Sequence, residues 1–122
     1  QANTSGNSAL SLNYNSDTTA SNYYRHALLG DGSSASTQEA QQFYAGSLTD
    51  NAWASNIIDI LDYTNTNKYK TVRSLSGDDQ NGSGNIGFFK PLYANYCNHF
   101  NQHRSQSANF ATNSQFALYG IK

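Results

Sequence analysis

Apolar residues in this chain come in runs of strand length, and turn-forming Asn, Ser, Gly or Asp clusters separate most of them. No stretch combines the length and 3.6-residue period of a core helix. Ala9–Tyr14 alternates, with Leu10, Leu12 and Tyr14 on one face and Ser11 and Asn13 on the other, before the turn Asn15-Ser16-Asp17. Tyr23–Leu29 is a second extended run, stopped by Gly30-Asp31-Gly32-Ser33-Ser34. Ser55–Tyr63 is the strongest strand; the polar turn Thr64-Asn65-Thr66-Asn67 joins it to Lys68–Gly77 as a β-hairpin. Asp78–Gly84 reads as a loop and Asn85–Tyr93 as the next strand. The pattern predicts an all-β protein, an antiparallel β-sandwich of jelly-roll type.

Three stretches are less regular. Ser36-Thr37-Gln38-Glu39 suits a helix N-cap with its capping-box glutamate, so 35–47 reads equally as a short helix or as a loop or edge strand. Residues 94–109 are polar and lack alternation, either a long surface loop or a stretch unlike the rest in origin. The final Gln115–Lys122 is apolar almost without a break, which predicts a buried strand closing a sheet.

With 122 residues the chain makes one domain, residues 9–122, behind a polar lead of residues 1–8. Only 12% of residues are charged and the net charge is -1. Scattered basic residues, with one small cluster at 68–73, argue against a nucleic-acid partner. No apolar run is long enough to insert into a membrane as a helix, and no signal peptide is visible. The single cysteine, Cys97, excludes an internal disulfide, so packing must carry stability. The chain opens on Gln1 and has no Met, as expected of a processed product or fragment that lacks N-terminal strands. Amides and hydroxyls replace charge on the predicted surface, a composition suited to glycan contact or to packing in a virion.

Motifs with a chemical meaning fail on context. Gly82-Ser83-Gly84-Asn85-Ile86-Gly87 spells a dinucleotide fingerprint but leads into a strand rather than a helix, so no nucleotide cofactor is expected. Asp78-Asp79-Gln80-Asn81-Gly82 offers oxygens for Ca²⁺, yet no Glu stands at the twelfth position of an EF-hand, and a solvated turn is the better reading. Cys97, His99 and His103 lack the further ligands and orienting partners that zinc needs. No G-x-S-x-G elbow is present. Asp59 and Asp62 point to opposite faces of a regular strand, so they make no glycosidase pair; one of them is expected to meet Lys70 or Arg73 across the hairpin. No catalytic, cofactor-binding or metal residue is assigned, and the chain reads as a non-enzyme. Aromatic side chains remain: Trp53, Tyr23, Tyr24 and Tyr93 are the candidates for subunit or glycan contact, with Trp53, in a polar loop context, the first of them.

Three segments together carry a resemblance: Leu10–Asp17, the hairpin Ile58–Tyr63 through Asn65–Arg73, and the closing Phe116-Ala117-Leu118-Tyr119-Gly120-Ile121-Lys122. They resemble small structural proteins of tailed bacteriophages, described as virion or tail-fibre-like proteins. The likeness spans about residues 9–93 and 110–122. Family members usually carry further strands before the point where this chain begins. They also continue after the Phe88-Phe89 strand with an alternating apolar strand, where this chain has Pro91–Ser107. The resemblance implies a fibre or capsid-decoration subunit on the phage particle surface. It would form a homo-oligomer, by analogy a trimer, beside other virion proteins. The alternative it implies is a receptor-reading module that binds host surface glycan.

Overall fold

A computed structural model describes residues 8–42, 44–48, 52–94, 100–103 and 110–121. The described residues form eight strands in two antiparallel sheets that pack as an all-β sandwich. They are β1 (Ser8–Tyr14), β2 (Tyr23–Gly30), β3 (Ala35–Ala40), β4 (Tyr44–Leu48), β5 (Ala54–Ile60), β6 (Lys70–Asp79), β7 (Gly84–Tyr93) and β8 (Phe100–His103). One sheet has the order β4-β1-β8, the other β3-β2-β7-β6-β5.

In β1 Leu10, Leu12 and Tyr14 are buried on one face as predicted, although Ser11 opposite them is buried too, and burial alternates along β2, β5, β6 and β7. Leu12, Tyr14, Tyr23, Ala45, Val72 and Tyr93 form the larger core cluster, with Ile58 and Ile60 packed against it. Leu10, Leu48 and Ala54 form a second one, covered by Ile58 and Phe110. The β5–β6 hairpin forms, with a longer connection (61–69) than the predicted Thr64–Asn67 turn, and Asp59 meets Arg73 at 2.9 Å directly across it. Lys70 instead turns its ammonium inward, donating to the backbone carbonyls of Asp62 and Asn65, and so closes the β5–β6 loop. Asp62 pairs with Lys68.

The β6–β7 loop is tighter than expected. Strands run to Asp79 and from Gly84, and the turn is Asn81-Gly82, with φ of 58° and 107°. This is the Asn-Gly pair of a type I′ hairpin, whose twist matches the strands it joins. It accounts for the glycine spelling: Gly82 turns the hairpin, and Gly84 and Gly87 lie in β7.

Among the described residues of 35–47 there is no helix. β3 is an edge strand on β2, and β4 crosses to the other sheet to pair with β1. β4 lies unusually close to β6 because the facing residues are small. Ser74 Oγ donates to the Ala45 carbonyl; Ser76 Oγ receives the Ser47 N–H at 3.1 Å and donates to the Ser47 carbonyl at 3.4 Å. Two serines on one face of β6 thus satisfy the outward backbone groups of β4. A Cβ at Gly46 would lie 1.8 Å from Asn56 Oδ1, so any larger residue here requires the Asn56 amide to move. In the stretch 94–109, Phe100–His103 is a strand paired with β1, which corrects the expectation of a continuous surface loop. The rest of 95–109 lies outside the described residues, Cys97 and His99 among them.

The expected closing strand over 115–122 is not one. Residues 114–121 carry no regular structure, and Leu118, Tyr119 and Ile121 are 85%, 83% and 95% exposed. Phe116 packs edge-on against Phe110, with ring centroids 4.9 Å apart, and is half exposed. An apolar run of strand length becomes a buried strand only if an edge accepts it; here none in its own chain does.

Candidate interaction surface

Tyr23 and Tyr93, two of the aromatic candidates, are core residues and offer no surface to a partner. Tyr93 stacks on Tyr14 at 5.1 Å and leans on Tyr23 at 4.9 Å between ring centroids. Their hydroxyls converge on Asp17 in the crossover from β1 to β2: Tyr93 donates to its carboxylate at 3.1 Å and Tyr23 to its carbonyl at 2.6 Å. Asn22 Nδ2 and the Thr19 N–H also donate to that carboxylate, at 2.6 and 2.8 Å. The Asn22 hydrogen bond above all, then those from Thr19 and Tyr93, hold the Asp17 carboxyl below its usual pKa, with desolvation opposing. This cluster ties the two sheets together at one end of the sandwich.

Tyr24 and Trp53 are exposed, but the fold does not bring them together. Tyr24 lies level with Leu92 and Thr71 at one end of the five-stranded sheet, while Trp53 precedes Ala54, level with Asp78 at the other. The seven-residue offset along β5 and β6 separates them by more than about 20 Å, too far for one sugar platform.

The main surface feature is one that alternation did not predict. On the outer face of the five-stranded sheet, Leu28 of β2, Phe88 of β7, Leu75 of β6 and Ile57 of β5 are direct cross-strand neighbours. They form one apolar row across four strands, 54%, 48%, 46% and 64% exposed in that order. Ile86, also exposed, extends it, beside Gly30 and Gly77 on the neighbouring strands. A charged row flanks the apolar one: Glu39, His26 and Lys90 are register partners on β3, β2 and β7, and the Arg73–Asp59 pair carries it to β5. Five strands by about seven residues make a face on the order of 500 Å². The signal was present in the sequence as the doublets Leu28-Leu29, Ile57-Ile58 and Phe88-Phe89, since adjacent strand residues point to opposite faces.

Chemistry finds less to work with. Arg25 is 7% exposed between the sheets, its guanidinium 4.8 Å from the Tyr44 ring centroid and bonded to Gln38 Oε1 at 3.1 Å. Burial lowers its pKa, and the Tyr44 hydroxyl opposes this. Its Nε has no hydrogen-bond partner, and no described carboxylate pairs with it. A shallow groove of about 190 Å³ opens beside Leu29, Ser47, Ser76, Asn85 and Phe89, below the size usual for small-molecule sites. Among the described residues, no three His, Cys, Asp or Glu side chains gather into a metal site. In the Asp78–Gly82 turn, Asp78 accepts from Gln80 Nε2 and Asp79 from the Asn81 N–H, so these carboxylates shape the turn itself. In the β2–β3 turn the Asp31 carboxyl is held below its usual pKa by the Ser34 and Ser33 amides and the Ser34 hydroxyl. His103 lies in β8 as the register partner of Ser11, whereas Cys97 and His99 lie outside the described residues.

Comparison with known proteins adds no relative. No protein-family model, curated protein or solved structure matches this chain.

Proposed function

We propose that this chain is a non-enzymatic assembly module, a structural subunit that binds protein partners through the outer face of its five-stranded sheet. The observation that carries the reading is the row Leu28, Phe88, Leu75 and Ile57. The sheet face is on the order of 500 Å² and this apolar row runs across four of its five strands; contiguous exposed apolar patches commonly mark interaction sites. The face approaches the ~800 Å² per partner of a standard interface. The finer assignment is a surface-exposed fibre or capsid-decoration subunit of a bacteriophage virion, forming a homo-oligomer beside other virion proteins. Its support is the sequence resemblance of the β1 segment, the β5–β6 hairpin and the closing segment. The nested pairings β1–β8 and β2–β7 agree with a jelly-roll relationship, whereas β5–β6–β7 is a plain meander.

The assay is light scattering coupled to size exclusion across a concentration series. The wild-type chain is expected to associate, and Leu75→Lys, at an exposed site in the middle of the row, to weaken association by at least about tenfold with the melting temperature nearly unchanged. A Leu75→Lys chain that associates like wild type would rule out this face as the contact. Glycan binding stands as a second reading because Tyr63 and Tyr69, both well exposed, share the β5–β6 loop. A stable monomer that binds polysaccharide, and loses that binding with Tyr69→Ala, would favour it.

A further inference from the structure

We propose that Phe116–Ile121 of one chain is a strand donated to the open edge of β5 in a second copy. The proposal rests on reading the chain as an assembly subunit, but not on the outer sheet face being the contact.

The donor has the sequence of a strand covered on both sides. In extended form Phe116, Leu118 and Gly120 share one face and Ala117, Tyr119 and Ile121 the other, with no charge in the six residues. Such two-sided apolar runs belong to strands buried on both faces. In its own chain this segment instead stands in solvent outside any strand, with Leu118, Tyr119 and Ile121 more than four-fifths exposed.

The acceptor is identified among the three edges whose side chains are described, β3, β4 and β5. β3 is blunted by composition: Ser36, Thr37, Gln38 and Glu39 are polar and exposed. β4 has its outward backbone groups taken by the Ser74 and Ser76 hydroxyls. β5 has neither protection. Among the described residues it pairs only with β6, and it carries Ile57, Ile58 and Ile60 with a single charge, Asp59, that is engaged by Arg73. A seven-residue edge that carries three isoleucines and one already paired charge is a template for another strand.

Position links the two. Phe110 packs in the cluster of Leu10, Leu48 and Ala54 beside Ile58 of β5, and Phe116 rests on Phe110. Each donor segment therefore leaves the sandwich next to its own acceptor edge. Two copies placed β5 edge to β5 edge bring each donor to the other's acceptor, a reciprocal and closed exchange. Each five-stranded sheet would gain a sixth strand.

The test uses the full-length chain. Leu118→Asp with Tyr119→Ser alters only exposed residues, so the melting temperature of the monomer should not move. Self-association by sedimentation should weaken by at least about tenfold. In parallel, hydrogen exchange across Ala54–Ile60 should slow on association in the wild type and not in the variant. Weakened association together with loss of that β5 protection supports the proposal. Association unchanged in the variant overturns it, whatever Leu75→Lys does. A wild-type chain that stays monomeric at every concentration overturns it as well. If Leu75→Lys dissociates the oligomer while the tail variant does not, the outer face stands as the contact and strand donation falls.

Discussion

Asp17 is the residue whose removal the structure evaluates most sharply. Its carboxylate receives Asn22 Nδ2, the Thr19 N–H and the Tyr93 hydroxyl, and so fixes the chain where it passes from the three-stranded to the five-stranded sheet. In Asp17→Ala the three donors fare differently. Tyr93 is 1% exposed, so its hydroxyl has little access to replacement water, and losing this buried hydrogen bond costs about 1–3 kcal/mol. Thr19 is exposed and Asn22 half-buried, so water takes their side and together they add no more than about 1 kcal/mol. The expected loss is about 1–4 kcal/mol, which for a domain of this size lowers the melting temperature by about 3–20 °C. Asp17→Asn keeps one acceptor oxygen and should lose about 1 kcal/mol. The pH dependence follows from the depressed carboxyl. Because the folded pKa lies below the ordinary 3.8, the stabilisation is complete above that value and is lost as pH falls through the lower folded pKa. Urea denaturation at pH 7 and pH 3 measures both effects. The stability difference between the two pH values should be smaller in Asp17→Asn than in wild type, by up to about 1 kcal/mol after solvent screening. A double-mutant cycle with Tyr93→Phe should give coupling near 1 kcal/mol. Asp17→Ala costing less than about 0.5 kcal/mol, or a cycle with no coupling, would refute the view that this cluster holds the crossover.

Gly46→Ala forces a methyl onto Asn56 Oδ1 and should cost about 1–3 kcal/mol by denaturation. Adding Asn56→Ala should restore much of that loss, and no rescue would place the strain elsewhere. The Arg73–Asp59 pair is about half exposed on both sides, so a cycle of Arg73→Ala and Asp59→Ala should give less than about 1 kcal/mol, vanishing near 1 M salt.

The strands legible in the sequence were those whose own residues carry the signal. β1, β2, β5, β6 and β7 alternate and end in turn residues, and the Asp59–Arg73 contact follows from hairpin register alone. β4 was not legible. Ala45 and Gly46 have little apolar character, and they are buried because Ser74 and Ser76 let β4 approach closely. Nor was the fate of Tyr23 and Tyr93, which as strand tyrosines suit a surface platform as well as a core.

What the sequence determined by itself is local: where the backbone extends, where it turns, and which residues share a face, since these depend on period-two geometry and on residues such as Asn81-Gly82. It could not determine which face of a doubly apolar strand is core. Phe88 and Phe89 are the same residue type on adjacent positions, yet Phe89 is 4% exposed and Phe88 48%. That choice is made by where the β4-β1-β8 sheet comes to rest, because burial belongs to the covering layer and not to the covered strand. The closing segment shows the same division. Its residues specify a strand covered on both sides, and whether it becomes one depends on a sheet edge that lies beyond its own stretch of chain.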